Sequence, residues 1–168
     1  FWNDPKNNKF KRAYFSKYKN IWHHGDFIQR TSNNGFIILG RSDSTLNPGG
    51  VRIGTAEIYR SIENFEEVLD SVVVGRPEGS DVSIVLCLKL IDRISITKDL
   101  EEKIKAHISK STTPRHVPNY VFQVSDIPYT ISGKKVEKAV LHAILGKSIK
   151  NKDALINPDC LKEFSNLP

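Results

Sequence analysis

Apolar positions along this chain recur with two different periods. Asp26–Thr31 and Gly35–Leu39 are short extended runs separated by Ser32-Asn33-Asn34, a spacing that predicts a β-hairpin. Ser71–Gly75, Val82–Ile91 and Tyr120–Val124 are dense in Val, Leu, Ile and aromatic residues and predict strands. Between them the period changes. Ile58 and Ile62 lie four apart after Thr55, with Glu57 in the first turn, which predicts a helix through about Phe65. Leu100, Ile104 and Ile108 mark a second helix. Thr97 stands at its N-cap position, acidic residues (Asp99, Glu101, Glu102) come early and Lys110 comes late, as the helix dipole favours. Pro114 ends it. Val136, Val140, Leu141, Ile144 and Leu145 mark a last helix, and residues 147–168 read as a polar, loosely packed tail.

After residue 44 the order is therefore helix, strand, strand, helix, strand, helix. That predicts an α+β domain of about 105 residues, large enough for its own core. Residues 40–54, with four glycines and a proline, read as a loop or hinge leading into it.

Composition narrows the class. Hydrophobic residues at 39% and charged ones at 26% fit a soluble globular chain. No apolar run approaches the roughly 20 residues of a membrane helix, so no membrane partner is expected. The start, Phe-Trp-Asn-Asp-Pro-Lys, has neither a Met nor a signal-peptide pattern and reads as a cut inside a longer protein. Cys87 sits in an apolar run and Cys160 stands far from it; no disulfide framework or zinc set is expected, and a reducing cytosol is the default location. The net charge of +6 is concentrated at one end, where Lys6, Lys9, Lys11, Arg12, Lys17 and Lys19 face Asp4 alone within residues 1–19. With Trp2, Phe10, Tyr14, Phe15 and Tyr18 interleaved, this stretch suits nucleic acid or, equally, a solvated edge of a larger protein.

The candidate chemistry lies on glycine-broken loops. Lys134 follows Ser132-Gly133 at a sharp turn, where its ammonium projects toward developing negative charge on a phosphoryl or carboxylate oxygen, or is an ordinary surface lysine. The spacing is not that of a phosphate-cradling P-loop. Arg41, in Gly40-Arg41-Ser42-Asp43, has a guanidinium suited to ribose or phosphate, and Asp43 stands where a hinge would absorb backbone rotation; a turn-stabilising ion pair accounts for both as well. Gly49-Gly50 permits close approach by a thin ligand or forms a plain loop. Asp26 suits a ribose diol or a turn; His23-His24 has no matching metal-ligand set nearby.

Taken in order, Gly25-Asp26, Gly40-Arg41-x-Asp43, Gly50-x-Arg52, Glu57 and Ser132-Gly133-Lys134 resemble the C-terminal portion of the acyl-adenylate-forming superfamily of acyl-CoA synthetases, luciferases and peptide-synthetase adenylation domains. The likeness runs from about residue 22 to 145. The run Leu46 to Tyr59, with Pro114-Arg115-His116-Val117-Pro118 and Ser132-Gly133-Lys134-Lys135-Val136-Glu137, is similar to the acetoacetate-activating ligases in particular. Another short-chain acyl-CoA synthetase, such as one for acetate, or a non-catalytic basic binding module are the alternatives.

The resemblance implies a small C-terminal domain, its mixed sheet packed with helices, preceded by a short hairpin from a larger N-terminal domain. Residues 1–43 would end that larger domain at the hinge Asp43, 44–147 would be the mobile catalytic domain, and 148–168 the tail. It implies acetoacetate, ATP with Mg²⁺ and coenzyme A as substrates, the missing N-terminal domain as partner, and no nucleic acid. Asp26 and Arg41 would hold the ribose and Arg52 would lie near the phosphates. Lys134 would serve adenylation, and Gly49 and Gly50 would line the pantetheine path. Acetyl-CoA synthetases commonly carry Ser-Gly-His-Arg where this chain has Gly49-Gly50-Val51-Arg52, and their CoA-phosphate arginine falls on Ser109 here. Lys110, with Lys105 nearby, is then the candidate for that contact. The family's phosphate loop and acyl pocket lie upstream, so this portion alone is expected to be inactive.

Overall fold

The structure, a computed structural model, describes residues 1–42, 46–149 and 151–168. In chain order its elements are α1 (Asn8–Tyr14), β1 (Asp26–Arg30), β2 (Phe36–Arg41), α2 (Thr55–Ile62), β3 (Val68–Glu78), β4 (Asp81–Leu90), α3 (Lys98–Ser111), β5 (Tyr120–Gln123), α4 (Glu137–Ile144) and α5 (Leu161–Phe164). Short 3₁₀ turns at Pro48–Gly50, Pro114–His116, Lys152–Ala154 and Pro158–Cys160 join them.

A three-stranded sheet in the order β3-β4-β5 organises the core; β3 and β4 run antiparallel and β5 lies parallel to β4, which makes the sheet mixed. Because successive strand residues point to opposite faces, the apolar runs of β3 and β4 fill two cores at once. Val73, Ile84, Leu86, Leu88 and Val121 turn to one face, where Ile58 and Ile62 of α2 and Leu100, Ile104 and Ile108 of α3 cover them. Val72, Val74, Val85 and Cys87 turn to the other, beneath Val140 and Ala143 of α4 and Phe164 of α5. A continuous apolar strand run is what burial on both faces demands. Burial pushes the Cys87 thiol up to about 12, with the Glu163 carboxylate adding to the shift.

The α3 start is as expected: Thr97 Oγ1 accepts the Leu100 amide at 3.2 Å, a cap that contributes about 1 kcal/mol. Helix α2 stops at Ile62, short of Phe65, whose amide closes a turn on the Ile62 carbonyl instead. The expected hairpin is present as β1–β2, with Thr31 N donating to Gly35 O across the turn. Helix α1 carries no strong apolar period and was not foreseen.

The largest departure is at the end of the chain. Far from being a loosely packed tail, the segment after Gly146 buries Leu155, Leu161 and Phe164, the last with no exposed surface at all. Its buried apolar residues sit on a single bridge at Leu155 and one helical turn, between short 3₁₀ turns, so they follow neither the strand nor the helix period and read as polar coil.

Candidate active-site loops

Lys134 lies at the tip of a five-residue turn. Gly133 N donates to Thr130 O at 2.8 Å, Lys134 N to Thr130 Oγ1 at 3.0 Å, and Thr130 N to Lys134 O at 2.9 Å. Gly133 adopts φ +74, a left-handed conformation that disfavours a side chain, and nothing lies within 4 Å of where its Cβ would be. The lysine is exposed, and among the described residues its amine makes no hydrogen bond or ion pair.

The next residue does the opposite. Lys135 turns inward, with Nζ 2.6 Å from Asp70 Oδ1, 2.8 Å from Ser71 O and 4.7 Å from the centroid of the Tyr59 ring. Tyr59 donates its hydroxyl to Glu137 Oε1 at 2.7 Å and accepts the Val73 amide at 3.1 Å; Tyr129 donates to Asp70 Oδ2 at 2.6 Å. Burial, then the Glu137 charge, holds the Tyr59 phenol well above its ordinary range, and burial with Asp70 does the same to Tyr129, so both remain donors. This network fixes the lysine turn to the start of β3. Sequence reasoning passed over Tyr59, Asp70 and Tyr129, because their partners lie far away in sequence.

The glycine loop sits elsewhere. Gly49 has φ +55 and Gly50 φ +78, both left-handed, and an added Cβ on Gly50 would meet open space. Gly49 N donates to Asp81 Oδ1 at 2.7 Å, tying the loop to the β3–β4 turn; the bond from Val82 N, and then this one, lower the Asp81 carboxyl pKa. A Cβ on Gly49 would stand 3.3 Å from Arg115 Nη1, so a guanidinium borders the loop. Leu46 and Ile53 pair across its base and are buried. From Ser71, beside the lysine turn, to Glu78, beside the glycine loop, is seven strand steps, roughly 23 Å. The two loops occupy opposite ends of one β-ribbon.

Asp26 and Arg41 are brought together as strand partners, with Arg41 Nη1 3.4 Å from Asp26 Oδ1 and donating to His24 O at 3.0 Å. His24 contacts the other Asp26 oxygen. Arg52 is exposed in the short segment leading from the glycine loop into α2, and Lys110 is exposed near the end of α3. Lys105 is engaged with Glu101 at 2.6 Å. Glu57 accepts from His116 Nε2 at 2.8 Å, and Thr113 Oγ1 contacts His116 Nδ1 at 2.8 Å, which pins the Pro114–His116 turn carrying Arg115. Asp43 lies outside the described residues. Among the described residues no cluster of three His, Cys, Asp or Glu could hold a metal ion, so none is given a role in binding Mg²⁺.

At the basic end, the aromatic rings pack on one another: Tyr14 stacks on Trp22 at 4.1 Å between centroids, and Phe10 meets Tyr14 edge-on at 5.5 Å. The outer face of the β1–β2 hairpin is apolar and open, with the paired Ile28 and Ile38 58% and 63% exposed. Among the described residues no helix is long and apolar enough to cross a membrane.

No family model matches the chain. Acetoacetyl-coenzyme A synthetase of Rhizobium meliloti (strain 1021) is 47% identical over 99% of the chain, and acetoacetyl-CoA synthetase of Xenopus tropicalis is 44% identical over all of it. The chain spans 26% and 25% of their lengths. Among solved structures, acetoacetyl-CoA synthetase from Streptomyces lividans superposes with a TM-score of 0.88 at 35% identity, covering 98% of this chain and 25% of that one. A benzoate CoA ligase from Burkholderia xenovorans LB400 superposes at 0.66 with 27% identity over 80% of the chain and 26% of its own length. By sequence along its whole length and by its α+β fold, the chain matches the acetoacetyl-CoA synthetases, of which it spans about one quarter.

Proposed function

We propose that this chain supplies the adenylation lysine and the CoA-facing glycine loop of a longer, cytosolic acetoacetate–CoA ligase: acetoacetate, ATP and CoA give acetoacetyl-CoA, AMP and diphosphate through acetoacetyl-AMP. In the first step a carboxylate oxygen of acetoacetate forms a bond to the α-phosphorus and the bond to diphosphate breaks. Lys134, an unpaired ammonium on a rigid turn, neutralises charge on both the carboxylate and the α-phosphate. Asp26 and Arg41 bind the ribose and Arg52 approaches the phosphates. In the second step the CoA sulfur attacks the acyl carbonyl and AMP leaves. Gly49 and Gly50 line the pantetheine path, and Lys110 and Arg115 are the cations for the CoA phosphates, Arg115 lying against the loop itself. Mg²⁺ arrives with ATP and offsets phosphate charge.

One observation carries this reading: the lysine turn is fastened at Ser71 and the open glycine loop at the β3–β4 turn, seven strand steps further along β3, so the two lie beside different stretches of one ribbon and a turning domain would present them to one reaction centre in succession. Rotation about Asp43 would present them in turn. The open apolar face of the hairpin supports a further N-terminal domain packed against it, and without that domain the chain is inactive.

The test is AMP release by the full-length ligase with ATP, Mg²⁺ and CoA, offered acetoacetate, acetate, propionate or butyrate. Acetoacetate should be preferred. Preference for another acid would keep the two-step chemistry and replace the substrate, and silence with every acid would favour a non-catalytic basic module. Gly50→Leu should slow thioester formation more than adenylation, because the side chain crowds the open space over the loop and strains its left-handed backbone while leaving the lysine turn untouched. Half-reaction assays check this, and equal losses would remove the loop from the pantetheine path.

A further inference from the structure

The backbone leading into the lysine turn is held by a segment that no motif marks. Ile131 N donates to Ala154 O at 3.0 Å, Ile156 N donates to Tyr129 O at 2.9 Å, and Thr130 and Leu155 pair as an antiparallel bridge between them. Residues 154–156 thus run antiparallel beside 129–131 through a single bridge. One side chain completes the seam. Asn157 Oδ1 accepts Tyr129 N at 3.1 Å, and its Nδ2 donates to Ile127 O at 2.8 Å and to the Asp126 carboxylate. Asp126 is in turn paired with Lys89 of β4 at 2.8 Å. The amide therefore joins residues 126, 127 and 129 to the sheet, using its acceptor and both of its N–H donors. Leu155, Leu161 and Phe164 anchor the segment in the core beneath.

We infer that the C-terminal segment is the seat of the lysine turn and that Asn157 is a positioning residue for Lys134 in adenylation. This rests on the role proposed for Lys134. The turn is clamped twice: after its tip by Lys135 and Glu137, before its tip by Asn157. A lysine side chain is long and flexible, so the ammonium is placed only as well as its Cα is held. Displacement by about 1 Å at a reacting group can cost about 10²-fold in rate.

The experiment measures both half-reactions and amide hydrogen exchange in the full-length ligase. Asn157→Ala removes the bridge. Asn157→Asp keeps its shape but loses both donors and sets a second carboxylate against Asp126. Ile104→Val, on the opposite face of the sheet, serves as a control for general loosening. Both Asn157 variants should slow adenylation on kcat by about 10-fold, within the range that misplacement produces, and leave thioester formation from supplied acetoacetyl-AMP near wild type. Exchange across residues 129–134 should quicken while β3 and β4 stay protected. Ile104→Val should show neither the split nor the local exchange. Intact adenylation in Asn157→Ala beside an inactive Lys134→Ala enzyme overturns this inference alone, as do equal losses in both steps or unchanged exchange at 129–134. Intact adenylation in Lys134→Ala overturns the assignment of the lysine itself, and the role of Asn157 with it.

Discussion

Replacing Lys134 by Ala in the full-length ligase should slow adenylation by about 10²–10³-fold, the usual loss when one preorganised charge-stabilising donor is removed from a reaction centre. Thioester formation from supplied acetoacetyl-AMP should stay close to wild type. The split follows from the geometry. Lys134 makes no contact that supports the fold beyond its backbone, whereas the bonds that shape the turn belong to Thr130, Gly133 and Lys135. Removing the amine therefore leaves the turn standing and removes only its charge. The glycine loop, at the far end of the ribbon, is untouched. Lys134→Arg should recover part of the rate at most, since a planar fork does not replace a compact ammonium. Measuring diphosphate–ATP exchange and acetoacetyl-AMP conversion separately decides it; parallel losses in the two would mean that Lys134 acts in both steps and that no exchange of loops takes place.

Most of the central sheet was readable in advance because its cause is local. Runs such as Val72-Val73-Val74 and Ile84 to Leu88 mark strands by their short length and β-branched content, and Thr97 with Leu100, Ile104 and Ile108 states a capped helix, since each depends on neighbours within a few residues. The candidate loops were readable for a related reason: Ser132-Gly133-Lys134 and Gly49-Gly50 need glycine where the backbone turns left-handed, whatever surrounds them. What holds the loops was not readable. Tyr59 meets Glu137 across 78 residues and Tyr129 meets Asp70 across 59. Neither pair has a pattern in sequence, because each is a product of how the layers stack. The pairing of Lys135 with Asp70 shows the same limit. Two adjacent lysines look alike as letters, and only the tertiary fold decides that one is bound and the other is presented.

Phe164→Ala should destabilise the 168-residue chain by about 3–5 kcal/mol, the cost of emptying a buried aromatic site. The residue lies four positions from the end of the described chain, where exposed, frayed termini are the rule and substitutions usually change stability by less than about 0.5 kcal/mol. It is nevertheless fully buried, in the same cluster as Val72, Val85 and Cys87 of the sheet and Val140 and Ala143 of α4. The helical turn that carries it is further tied by Glu163, whose carboxylate accepts the Ser125 amide at 2.9 Å and the Ser125 hydroxyl at 2.5 Å. Urea unfolding followed by tryptophan-independent circular dichroism should show a lower midpoint with little change in slope, since the surface exposed on unfolding hardly alters. A midpoint unchanged from wild type would mean that the end of the chain is not part of the second core. That result would also remove the anchor beneath residues 154–157, and with it the physical basis for a C-terminal seat under the lysine turn.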